Sequence, residues 1–188
     1  MVLIFLLIPG LLWAQEWTAF NQERLTMTRH GMLVLGTWAA SNLIVNPILA
    51  SQASGSRKYF FRMNAYWNVV NLAIAGIGYY GAAKADPNLL SLSETISEQH
   101  KIEKLLLFNA GLDLAYVLGG LYLRERSKNT NNNPDRLKGF GESIILQGAW
   151  LFAFDMAFYL FQRHHGVPLI EGLSLIPSPV GLTLAVNF

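Results

Sequence analysis

The sequence predicts an all-α membrane protein, a bundle of four transmembrane helices followed by a short C-terminal tail resembling a β-hairpin. Three observations predict it: four apolar segments of bilayer-crossing length, a charge asymmetry between the loops that join them, and a polar edge at helical spacing on each segment. Composition agrees. Of 188 residues, 52% are hydrophobic and only 14% charged, which departs from an ordinary soluble domain, and the length leaves room for one domain.

The apolar run from Met1 to Trp13, followed by Ala14, Gln15 and Glu16, is too short to cross a bilayer, which takes roughly 20 residues. It has the length of a signal-peptide core ending at a small residue. Residues 1–14 are therefore expected to be a secretion signal cut near Ala14, although no Lys or Arg precedes the core, and the mature N-terminus is expected outside the cytoplasm. Trp17, Phe20, Leu25 and Met27 then predict an amphipathic lead-in lying at the outer interface.

Within a transmembrane domain over residues 15–166, the spans are expected at about 31–50, 64–83, 104–123 and 142–161. The connection 51–63 carries Arg57, Lys58 and Arg62, and 124–138 carries Arg124, Arg126, Lys128, Arg136 and Lys138. Loop 84–100 carries Asp86, Glu94 and Glu98 instead. Basic loops stay in the cytoplasm, so both chain ends are expected outside it. Ser91 followed by Glu94 is a capping-box pattern that starts the third helix well before its apolar part. Asn133 before Pro134 marks the start of the fourth, and Pro47 is expected to kink or end the first. Tyr59, Phe60, Phe61, Tyr66 and Trp67 gather where the second span enters, and Tyr79 and Tyr80 where it leaves, as interfacial aromatics do.

Asn64, Asn68, Asn71, Ala75, Gly78 and Ala82 share one helix face. The same spacing collects Trp38, Asn42 and Asn46 on the first span, Asn109, Asp113, Tyr116 and Gly120 on the third, and Gly141, Gln147, Gly148 and Asp155 on the fourth. Unpaired polar groups in hydrocarbon are costly, so the four edges are expected to converge in one bundle core. The candidate intramembrane site is therefore Asn42, Asn68, Asn71, Asn109, Asp113, Gln147 and Asp155. The asparagines read as cross-helix hydrogen bonds, each contributing roughly 0.6 kcal/mol. Asp113 and Asp155 read differently, because a mid-span carboxylate costs about 2.5 to 3.5 kcal/mol and such acids commonly face a cavity or a proton path. Burial favours the neutral acid, which makes Asp113 a hydrogen-bond donor toward Asn42, Asn71 or Asp155. Gly76, Gly78 and Gly81 match Gly-x-Gly-x-x-Gly, but with no preceding strand they read as packing glycines.

His30, His100, His164 and His165 all fall on the outer side and are the candidates for a metal or haem site. No His-x-x-x-His or Glu-x-x-His spacing supports one, and no cofactor is called for. The chain has no cysteine, which excludes disulfides and thiol chemistry. A net charge of +2 points away from nucleic acid. No catalytic motif has the needed spacing, so an enzyme is not expected. The tail, 167–188, alternates Leu173 and Leu175, then Leu182, Leu184, Val186 and Phe188, with smaller or polar residues around Pro177, Ser178 and Pro179. It reads as a hairpin capping the outer helix ends. Its ending in Phe is like the last strand of an outer-membrane barrel, but the chain supplies no other barrel strands.

Arg29 to Trp38 and Met63 to Asn71 resemble segments of a family of small, uncharacterised four-helix membrane proteins of Gram-negative bacteria. The resemblance implies an envelope location, here the inner membrane, and supplies no catalytic residue. Three functions follow as expectations. The first is a structural or accessory inner-membrane protein whose polar core serves stability and whose outer hairpin meets a membrane or periplasmic protein partner. The second is a proton-linked or small-solute transport element using Asp113 and Asp155. The third is a metal- or haem-binding redox protein.

Overall fold

Left-handed residues and capping side chains set where the helices begin. Gly55, at φ 56°, reverses the chain between the first two helices, and Asn133, at φ 54°, does so before the last, a conformation that favours Gly and Asn. Ser91 caps the third helix by accepting from the Glu94 N–H while Glu94 accepts from the Ser91 N–H at 2.8 Å, the reciprocal box its sequence predicts.

A computed structural model describes the backbone of residues 7–171, 173–178 and 181–186, and the side chains of 17–169. Four helices result: α1 (Leu7–Gln52), α2 (Gly55–Lys84), α3 (Leu92–Arg126) and α4 (Pro134–Glu171). Pro47 does not end α1, which continues to Gln52. The cut expected near Ala14 falls within unbroken α1, at residues whose side chains are outside the described ones. Past α4, the backbone segments Leu173–Ser178 and Gly181–Val186 run antiparallel. The expected capping of the helix ends by this tail lies outside the described residues.

Helices α1 and α2 form one antiparallel hairpin, α3 and α4 another, and α2 against α4 joins them. Glycines permit the closest approaches. A methyl on Gly139 would strike the backbone of Ser56 and Phe60, and one on Gly120 would lie 2.7 Å from the Gly141 carbonyl oxygen. Gly76 and Gly81 face open space, so of the three glycines read as packing residues only Gly78, against Met32, is one.

The distribution of polarity is inverted relative to a soluble domain. The largest fully buried side chains are Gln99, Gln147, Gln162, Asn21, Asn64, Asn68, Thr95 and Ser143. Outward stand Ile77 at 75% exposure, Phe161 at 68%, Ile44 at 67% and Leu118 at 66%. Among the described residues three helices are long and apolar enough to cross a membrane, namely those within Trp17–Gln52, Leu92–Asn129 and Pro134–Leu169. The second expected span, on α2, falls short, because Asn64, Asn68 and Asn71 lower its hydropathy while lying buried.

The lead-in expected to lie at the interface is instead part of α1 and is packed. Asn21 is 0% exposed and its Nδ2 donates to Thr95 Oγ1 of α3 at 2.8 Å. The reason is length: α1, α3 and α4 all run past the apolar stretches, and their outer turns bury polar faces on one another.

Replacing Gly139 by Ala is expected to destabilise the bundle by about 1 to 3 kcal/mol through overpacking, whereas Gly111→Ala, at a position with nothing within 4 Å, leaves it unchanged. Thermal unfolding of the purified protein in detergent, followed by circular dichroism, measures both.

Candidate functional site

The inner half of the bundle is closed by a hydrogen-bond network from three helices. Asn64 Oδ1 accepts from Ser143 Oγ at 2.9 Å and from Gln147 Nε2 at 2.7 Å. Gln147 Oε1 in turn accepts from Trp38 Nε1 at 3.1 Å, and the Trp38 ring stacks on Trp150 at 4.3 Å. Along α2, Asn68 Nδ2 donates to the Asn64 carbonyl and Asn71 Nδ2 to Asn68 Oδ1. Asn42 and Asn46 bond within α1, to the carbonyls of Trp38 and Asn42. Each amide here has its partner inside the protein, as buried amides require.

Asp113 and Asp155 do not join this network. The polar edges therefore form two hydrogen-bonded groups rather than the single one expected, because α3 packs chiefly on α4 and meets α2 through the Trp67–Tyr116 contact. Of the partners open to Asp113, the fold selects Asp155: the two carboxyl groups interact directly across α3 and α4. They are 3% and 7% exposed, and Asp113 Oδ2 is buried with no hydrogen-bond partner.

Both acids line a cleft of about 490 Å³ between α2 and α3. Its inner end is shut by Trp67 of α2 meeting Tyr116 of α3 edge-on, with ring centroids 4.8 Å apart. Beyond that contact the walls are Val70, Ile74 and Ile77 on one side and Ile102, Leu105 and Leu112 on the other. Asn71 and Asn109 also face it. A pocket of this size, apolar apart from a few converging polar groups, suits a small lipophilic molecule.

A second cavity, about 470 Å³, opens at the outer end of α2 and α3 and holds Arg24, Asp86, Glu98 and Lys101 among apolar side chains. Thr28, Ile102 and Leu105 line both cavities, so the two lie side by side. Asp86 accepts from the Asn88 N–H at 2.9 Å and from Asn88 Nδ2 at 2.8 Å, which holds its carboxyl below the usual range. Behind this cavity lies a polar core that sequence reading missed. Gln99 Nε2 donates to Glu103 Oε1 and to the Gln162 carbonyl, Gln162 Nε2 to Thr28, and Arg163 to Glu103. Thr95, Gln99 and Glu103 recur every four residues, and so do Ser143 and Gln147, a signal that spans read only from apolar runs pass over.

The histidines stay apart. His30 is exposed and borders an apolar groove with Phe158 and Phe161. His100 approaches Glu103 at 4.0 Å. His164 is exposed, and His165 stacks on Phe20, with Nε2 3.1 Å from the Phe20 carbonyl oxygen. Among the described residues no three His, Asp or Glu side chains stand together as metal ligands would.

Residues 34–156 match DUF6992, a family of unknown function, over more than half of the chain, and the chain belongs to that family. The matched stretch contains the asparagine network and both acids; Arg24 lies outside it. No curated protein and no solved structure matches the chain.

Asn64→Leu strands the Ser143 hydroxyl and the Gln147 amide together and is expected to cost about 1 to 3 kcal/mol. Asn42→Leu removes only a bond within its own helix and is expected to cost less. Unfolding midpoints of the two variants, compared side by side in one detergent, check the order.

Proposed function

We propose that this member of a family without an assigned activity is an integral membrane protein that admits a small lipophilic solute to the α2–α3 cleft, with Asp113 and Asp155 linking its binding to a proton. One observation carries the reading: two buried acids face each other in the lining of an open apolar cleft. Like charges in contact inside a medium of low dielectric constant do not both ionise, so the pair holds a proton between its members. A solute that fills the cleft excludes water from beside the pair, so its binding is linked to the proton the pair holds. A purely structural or accessory role draws support from the asparagine network, which needs no ligand, but gives the acid pair nothing to do. A metal or haem site finds no converging ligands.

In this reading the protein sits in a bacterial inner membrane with α2 as its fourth span. The asparagine face of α2 turns inward, while Val69, Leu72 and Tyr80 are exposed where lipid would lie. The basic turns 51–63 and 124–138 face the cytoplasm, residues 1–14 act as the secretion signal, and the tail lies outside, available to a protein partner.

The test is quenching of Trp67 fluorescence by a terminally brominated medium-chain alcohol in nanodiscs, with Trp67→Phe as the blank. Saturable quenching that changes with pH, and that loses this dependence in the Asp113→Asn, Asp155→Asn double variant, is expected. A folded double variant with the parent's pH profile overturns the proton link, and no saturable quenching overturns the site.

Orientation is checked separately. The chain lacks cysteine, so single cysteines at Asn88 and Asn132 report sidedness directly. Asn88→Cys is expected to label from the outside of intact cells and Asn132→Cys only after lysis.

A further inference from the structure

The outer cavity contains a cation with too few acceptors. Arg24 is 5% exposed, yet among the described residues its guanidinium makes a single hydrogen bond, from an Nη to Asn21 Oδ1 at 3.1 Å, and its Nε has no partner. A guanidinium carries five N–H donors, and burying one costs several kcal/mol unless they are met. The nearby acids do not meet them. Asp86 is engaged by Asn88. Glu98 attracts Arg24 but pairs with Lys101 at 3.3 Å instead. The Arg24 side chain thus lines a cavity with donors to spare, at the mouth of an apolar cleft.

We infer that Arg24 is the head-group anchor for a single-chain amphiphile bearing a carboxylate, whose hydrocarbon tail lies between α2 and α3. The inference rests on the cleft reading above and names its ligand class. A carboxylate offers two oxygens in the geometry of the guanidinium fork. The tail runs from the cavity at Arg24 past Ile102 and Leu105, the residues common to both cavities, toward Asp113. Along α3 the distance from Glu98 to Asp113 is roughly 22 Å at 1.5 Å per residue, the reach of one extended medium to long chain. Gly81, Ala82 and Ala85 line the mouth and, lacking bulk, leave the entrance open.

The experiment compares the terminally brominated carboxylate with the matching alcohol by Trp67 quenching in phosphatidylcholine nanodiscs. The carboxylate is expected to bind roughly tenfold or more tightly, as a hydrogen-bonded charge pair allows. Arg24→Gln is expected to erase that preference while leaving the alcohol unchanged. Glu98→Gln, which removes an opposing charge without touching Arg24, is expected to tighten carboxylate binding and serves if Arg24→Gln fails to fold. Equal binding of acid and alcohol by the parent protein overturns the anchor and leaves the cleft. Binding of neither overturns both. If phosphatidylglycerol in the disc displaces the carboxylate as well as the unlabelled acid does, the site belongs to a phospholipid head and the single-chain ligand is wrong.

Discussion

Hydrogen-bond satisfaction inside an apolar shell is the constraint on which this structure depends. The side chains at its centre are amides, hydroxyls and acids, and those at its periphery are Ile, Leu, Val and Phe. In lipid an exposed apolar side chain costs nothing, whereas an amide facing hydrocarbon loses its partners and costs several kcal/mol. Packing alone separates helices poorly from lipid tails. Specific polar contacts therefore carry the choice of neighbours, and the Asn64, Ser143, Gln147 and Trp38 contacts tie α2, α4 and α1 in one arrangement. Gly139, Gly120 and Gly141 let the backbones come close enough for those short bonds to form.

Much of this was legible from residue spacing. The face Asn64, Asn68, Asn71, Ala75 and Ala82 is buried along its length, because amides at alternating steps of three and four have nowhere else to go. The capping box at Ser91 and the Pro134 start also follow from local chemistry that tertiary contacts did not override. On α3 the reading was one step off: Ala110, Asp113 and Gly120 are buried, while Asn109 is only half-buried and Tyr116 is 37% exposed. A helix edge read from polarity alone drifts toward residues that border a cleft, and Asn109 and Tyr116 both line one.

The outer part of the fold was not legible, and the reason is physical. A hydropathy window stops at charge, so Arg24, Glu98, Glu103 and Arg163 looked like the ends of spans. They are instead inside or beside a second polar core made by three helices running on together beyond the apolar stretch. Burial there depends on which helices extend and by how much, which no single segment encodes. On α2 hydropathy misleads in the opposite sense: it falls below that of a span because Asn64, Asn68 and Asn71 count as polar although Asn64 is bonded to α4 and the other two within α2.

The two halves of the bundle differ in how completely they close, and this difference locates the site. At the inner end, α2 is pinned to α4 through glycine contacts and shared amides, and Trp67 against Tyr116 seals the gap to α3. Toward the outer end no such pins exist between α2 and α3; α2 stops at Lys84 while α3 continues upward from Leu92. Two helices fixed at one end and free at the other enclose a wedge, with the acid pair at its depth and Arg24 of α1 at its mouth. Among the described residues Trp17 Nε1, Gln99 Oε1 and Gln162 Oε1 are also unpartnered but do not line it. The spare donors of Arg24 thus stand where an apolar wedge opens, the arrangement that a molecule with a charged end and a hydrocarbon body completes.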